Sequence, residues 1–133
     1  MSHLIAIVSK IQSCDTLHVV NFSFQNQTLS MMSLELNERI VIGTKVKLVV
    51  KPSHIAIAKN FSGNVSYSNQ LHSTIVSIEN GQLLSSIRLE CQGSVIESII
   101  TLNSSLKMDL QVGDSVTAFI KASELSIGEI LDD

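Results

Sequence analysis

The chain of 133 residues carries a formal net charge of −3 and is 44% hydrophobic, 4% aromatic and 16% charged. That balance excludes the broad basic face that nucleic-acid binding needs. No apolar run approaches the ~20 residues of a membrane span, and the opening run at residues 4–8 is shorter than the ~7–15-residue core of a secretory signal. A soluble, cytoplasmic protein with no membrane and no nucleic-acid partner is expected. Cys14 and Cys91 are too few and too isolated for a disulfide framework or a zinc site, and read as two buried, reduced thiols.

In chain order, residues 3–11 (HLIAIVSKI) are a β-rich opening run that breaks at a turn around Ser13, Cys14 and Asp15. Residues 17–25 alternate, with His18, Val20, Phe22 and Phe24 on one face and Val19, Asn21 and Ser23 on the other. Period two marks a half-buried strand. Gln25, Asn26 and Gln27 make a polar hairpin tip, residues 28–33 run back, and residues 34–37 read as a turn of helix.

At Gly43 begins GTKVKLVVKPSHIAI, and seventy residues later Gly113 begins GDSVTAFIKASELSI. Gly43/Gly113, Val46/Val116, Lys51/Lys121, Ser53/Ser123 and Ile57/Ile127 coincide without a gap. Self-similarity at a fixed offset marks an internal duplication and outranks local propensity.

Residues 60–65, within the segment NFSGNVS, read as a short connection between packed units rather than a flexible tether. They divide a first unit, residues 1–59, from a second, residues 66–133, which replays the same order. Residues 69–79 read as a strand, Asn80-Gly81 as a two-residue hairpin loop and residues 83–91 as the returning strand. Gln92-Gly93 turns the chain into a strand at residues 95–101, and residues 103–110 form a short helix with Thr101 or Asn103 placed to cap it. Strands at residues 115–121 and 125–128 close the unit, leaving residues 129–133 as an acidic, solvated tail.

A unit near 60 residues buries only ~60% of the surface of its unfolded chain, so the two halves are expected to pack on each other or on further copies. The pattern predicts an all-β protein of two tandem, small OB-like β-barrel units, each with one short helical turn. Closure also removes the free edges that a chain rich in β-branched residues must avoid.

No enzyme constellation stands out. There is no phosphate-binding loop and no GxSxG, and His3, His18, His54 and His72 lack metal-ligand spacing. What recurs is neutral donors near one lysine: Ser66, Ser68 and Asn69 open the second unit, Thr101 and Ser104 lie mid-unit, and Lys121 and Ser123 sit at a strand-to-strand corner. Hydroxyl and backbone N–H donors with a single positive charge suit a small tetrahedral anion. The same hydroxyls also satisfy local backbone at strand ends and caps.

Ser66-Tyr67-Ser68-Asn69-Gln70-Leu71 resembles the Ser-Ala-Arg-Asn-Gln-Leu opening of molbindin (Mop) domains, the molybdate-binding members of the TOBE group. Further matches follow in the family's order: Ile78-Glu79-Asn80-Gly81, Ile100-Thr101 with Ser104, Val112-Gly113-Asp114, Val116 and Ile120-Lys121-Ala122-Ser123. In the first unit Met31-Met32-Ser33 stands where Ile99-Ile100-Thr101 does, and Met1-Ser2-His3-Leu4 is a worn counterpart of Ser68-Asn69-Gln70-Leu71.

The resemblance implies a free-standing, two-unit protein that binds molybdate or tungstate, needs no cofactor and assembles as a trimer of six units with anions at interfaces. Carried over by position, the contacts are Ser66, Tyr67, Ser68, Asn69, Thr101, Ser104, Lys121, Ala122 and Ser123, and in the first unit Ser2, His3, Ser33, Lys51 and Ser53. Two departures matter. The family's arginine is Ser68 here and Met1 in the first unit, and Pro52 replaces Ala122 and so removes an N–H. The first unit is therefore expected to be the poorer site.

Storage or homeostasis of the oxyanion, without catalysis, is the function that follows from the resemblance. The rival is a regulatory TOBE-type accessory module in which anion binding is vestigial. An oligonucleotide-binding barrel is disfavoured, because single-strand binding needs stacking faces and a basic groove.

Overall fold

A computed structural model describes residues 2–131. The first half contributes β1 (Ser2–Cys14), β2 (Leu17–Phe24), β3 (Gln27–Ser33), β4 (Lys45–Val50) and β5 (Ala56–Ala58). The second contributes β6 (Asn69–Asn80), β7 (Leu84–Cys91), β8 (Ser94–Thr101), α1 (Leu102–Lys107), β9 (Ser115–Ile120) and β10 (Ser126–Leu131). Between β4 and β5 a 3₁₀ turn at Pro52–His54 forms a first corner, and between β9 and β10 one at Ala122–Glu124 forms the second.

Strict alternation builds the leading strands. Ser2, Leu4, Ala6 and Val8 of β1 are buried while His3, Ile5 and Ile7 are exposed, and Asn69, Leu71, Ser73 and Ile75 of β6 repeat the pattern. Both strands bulge at equivalent places, β1 between Val8 and Lys10 and β6 between Ile75 and Ser77. Each bulge is clasped by the duplicated glycine: Gly43 N–H donates to Val8 O and Gly113 N–H to Ile75 O, both at 2.8 Å. These glycines sit at φ +96° and +95°, a region that a side chain makes costly. This is why the repeat begins with glycine.

The two sheets do not follow the two halves of the sequence. One has the order β10-β4-β1-β2-β3 and the other β5-β9-β6-β7-β8. The last strand of each unit has crossed to the other unit's sheet: Ile57 of β5 pairs with Ala118, and Ile127 of β10 pairs with Leu48. One buried apolar cluster runs through both halves, from Leu4, Phe22 and Leu48 to Leu71, Ile87 and Ile120. The exchange answers the size problem, since neither half has to complete a core alone.

Several expectations need correction. Residues 34–37 form no helical turn; a turn occurs at Glu38-Arg39, and the first unit's helical turn is the 3₁₀ corner. Glu129, Ile130 and Leu131 are not tail but strand, paired with Lys47, Val46 and Lys45, because β4 offers them a free edge. Asp132 and Asp133 lie outside the described residues. Asn80 stays in the ladder opposite Ser85, whose hydroxyl donates to its side chain, so the hairpin loop is three residues rather than two. Cys91 is buried and Cys14 exposed, and both are free thiols.

Residues 60–65 have no regular structure. Phe61 meets Phe119 edge-on and Tyr67 stacks on it, each at 5.2 Å between centroids. Ala118, Phe119 and Ile120 are consecutively buried, so β9 is covered on both faces and the connection supplies one cover.

Candidate functional site

The ladder register decides which candidate residues meet. Asn69 lies opposite Ile120, so residues 66–68 and 121–123 leave from the same end of the β6–β9 ladder. Ser2 lies opposite Val50, which brings Ser2 and His3 to the end of β4 where Lys51 and Ser53 follow. Two equivalent clusters result, one at each corner.

Third strands are distributed crosswise. The first corner packs against β8, and the second against β3. Ser33 and Ser123, from different units, line one groove of about 420 Å³ between the edges of β3 and β10. Thr101 and Ser104, expected beside Lys121, are carried on β8 and α1, on the first corner's side. Register shows only strand neighbours, and β8 is reached through the exchange of terminal strands.

Not every candidate side chain is available. The Asn69 amide is fully buried and bridges to Ser30, accepting from its N–H at 2.7 Å and donating to its C=O at 2.9 Å. β3 is a sheet edge, so this primary amide substitutes for a missing neighbouring strand. At the duplicated position the Ser2 hydroxyl accepts from Glu97 N–H at 2.9 Å. Thr101 caps α1, its hydroxyl accepting from Ser104 N–H at 3.2 Å and meeting Ser104 Oγ at 2.9 Å. Ser33 donates to Glu35 O.

The rest of the set is free. Lys51, Lys121, Ser53, Ser66, Ser68 and Ser123 make no ion pair and no side-chain hydrogen bond among the described residues, and all are exposed. Two other lysines are engaged, Lys47 with Glu129 and Lys59 with Asp114, each at 3.0 Å, while Lys10, Lys45 and Lys107 make no ion pair among the described residues. The corners share one geometry, Lys51 at φ −72°, ψ 142° and Lys121 at φ −68°, ψ 145°. They differ in chemistry, because Pro52 has no N–H and Ala122 has one.

The groove itself has an apolar floor that includes Met31, Leu36, Leu125 and Ile127, and a rim with Glu35 and Glu129. No lysine, arginine or histidine lines it. Among the described residues no group of His, Cys, Asp and Glu is placed to hold a metal ion. Sequence reasoning missed His54 and Glu124, one residue past Ser53 and Ser123, whose side chains meet at 2.9 Å. Their equal place in the duplication was the available signal.

Fold and donor set together define a two-unit β-barrel protein with an exposed lysine–serine corner on each unit. The TOBE domain family matches residues 66–127. A probable molybdenum-pterin-binding protein of Haemophilus influenzae is 34% identical over 65 residues, covering 48% of this chain and 94% of that protein. The crystal structure of ModG, described as a cytoplasmic molybdate-binding protein and solved with molybdate bound, superimposes with a TM-score of 0.90. It is 26% identical, over 96% of this chain and 94% of ModG. The chain belongs to the TOBE-type, molbindin-like family of molybdate-binding proteins. The relatives are named as binding proteins, and no helix among the described residues is long and apolar enough to cross a membrane.

Proposed function

We propose that this protein takes up molybdate or tungstate in the cytoplasm and serves its storage or homeostasis, without catalysis. The observation that carries the reading is the free donor set at the second corner. Lys121 and the hydroxyls of Ser66, Ser68 and Ser123 leave one end of a ladder with no partner of their own among the described residues, in a chain whose family binds this anion. Ala122 and Ser123 add backbone N–H groups, and a second chain packed over the corner would exclude water and strengthen every bond to the dianion. A trimer of six units supplies that cover. The first corner, with Pro52, is the weaker site. Because most donors are neutral, affinity changes little with salt compared with a site built from many cations.

The test is titration calorimetry of the intact protein with molybdate, tungstate and sulfate, with mass measured by light scattering. Tyr67 is the sole tyrosine in a chain without tryptophan, so its fluorescence follows events at residues 66–69 directly. Lys121→Ala and Ser123→Ala are expected to weaken uptake about 10- to 100-fold, the scale of a lost charge-assisted hydrogen bond. A folded trimer that takes up no oxyanion sinks the reading and leaves the accessory-module role.

A further inference from the structure

The seventy-residue offset places His54 and Glu124 at equivalent positions. Across the boundary between the units they face each other, His54 Nδ1 lying 2.9 Å from Glu124 Oε2. Both side chains are about one-third exposed, at 36% and 35%, so the pair adds little to folding. Its place is what matters. Each residue directly follows the free serine of its corner, so the contact joins the two corners and puts a titratable charge one residue from each serine.

We propose that His54 and Glu124 couple oxyanion uptake to uptake of a proton. The inference rests on the functional reading above and adds to it a defined regulator. Glu124 brings a negative charge within one residue of Ser123, where a dianion is to be held. With His54 neutral that carboxylate repels the incoming anion. With His54 protonated, the imidazolium donates from Nδ1–H to Glu124 and cancels its charge. The anion therefore binds the protonated pair more tightly, and by linkage its binding draws a proton onto His54.

The other charged groups around the pair do not duplicate this role. Lys51 and Lys121 stand three residues before His54 and Glu124 in the chain. β8, packed on the first corner, presents Glu97, whose carboxylate accepts from Ser86 Oγ. β3, packed on the second corner, has no ionisable residue, and neither has β5. Glu35 and Glu129 line the groove beside Ser123, and Glu129 is paired with Lys47; His72, exposed on β6 and outside the candidate set, serves as the control.

The experiment is molybdate calorimetry on the intact protein near pH 7, in two buffers of different ionisation enthalpy. The difference in heat counts protons taken up per anion. Molybdate remains a dianion over the range used, so the count belongs to the protein. Wild type is expected to take up a fraction of a proton per anion, and its affinity to fall severalfold between pH 6 and pH 8, with tenfold per pH unit as the ceiling for one coupled proton. His54→Gln is expected to abolish the uptake and flatten the pH profile, and Glu124→Gln to tighten binding at pH 8 by removing the repelling carboxylate, while His72→Gln keeps both uptake and profile. Anion binding without proton uptake in wild type overturns the coupling and leaves the functional reading intact. So does uptake that survives in His54→Gln or vanishes in His72→Gln. Absence of binding heat in every buffer instead sinks the functional reading itself, and the coupling with it.

Discussion

Asn69→Ala is the sharpest test of how the two units are joined. The native amide is fully buried and spans from the start of β6 to the outer edge of β3, bonded to both Ser30 N–H and Ser30 C=O. Truncation removes two hydrogen bonds, each worth about 1 kcal/mol net, and leaves two backbone groups to find water at a partly covered edge. The expected loss is about 2–4 kcal/mol, a drop in melting temperature on the order of 10 °C for a chain of this size. Urea unfolding followed by circular dichroism, at one fixed protein concentration, measures it. Ser2→Ala at the duplicated position loses one bond, from Glu97 N–H, and is expected to cost about 1 kcal/mol. Asn69→Asp keeps the acceptor but loses the donor and sets a carboxylate against Ser30 C=O, so it is no rescue. If Asn69→Ala unfolds within ~0.5 kcal/mol of wild type, the amide is not the clasp described here.

Three further outcomes are expected. Asp114 accepts from Gln111 N–H and pairs with Lys59, which holds its carboxyl below the ordinary value of 3.8. Its folded form is the stronger acid, so its contribution is complete above pH 3.8 and fades as pH falls through the depressed folded value; Asp114→Asn should flatten the acid limb of urea midpoint against pH. A thiol reagent should titrate Cys14 at once and Cys91 only on unfolding, because Cys14 is exposed while burial pushes the Cys91 thiol up; two fast thiols in native protein refute this. Gly128→Ala would place a Cβ 2.6 Å from Val49 Cγ1, and should cost about 1–3 kcal/mol in urea unfolding by forcing β10 off β4.

Much of the fold is written in local pattern. The alternation along β1 and β6 needs only two-residue periodicity to reveal a buried face, and Thr101 announces the start of α1 because capping is a local event. The glycines at 43 and 113 signal tight backbone conformations before any coordinate is known. Errors arose where long-range pairing overrode local tendency. Glu129 looks solvated in an acidic terminus, yet Lys47 and the open edge of β4 draw it into a sheet. Residues 34–37 fail to become helix, and that stretch lines a groove instead.

The candidate site divides in the same way. Duplication alone made Lys51, Ser53, Lys121 and Ser123 conspicuous, since a repeated cation and hydroxyl at a repeated corner is a chemical pattern visible in one dimension. Whether those groups are free or engaged is a property of three dimensions. Asn69 and Ser2 turned out to be clasps between units, because each lies within hydrogen-bond reach of a backbone group remote in the sequence. The sequence by itself therefore determined most of the strands and the two lysine–serine corners, all of which depend on neighbours a few residues apart. Only the tertiary structure decided the exchange of β5 and β10, the crosswise meeting of each corner with the other unit's third strand, and the facing of His54 on Glu124. Those depend on which edge a strand finds once the core has closed, and nothing in its own residues encodes that choice.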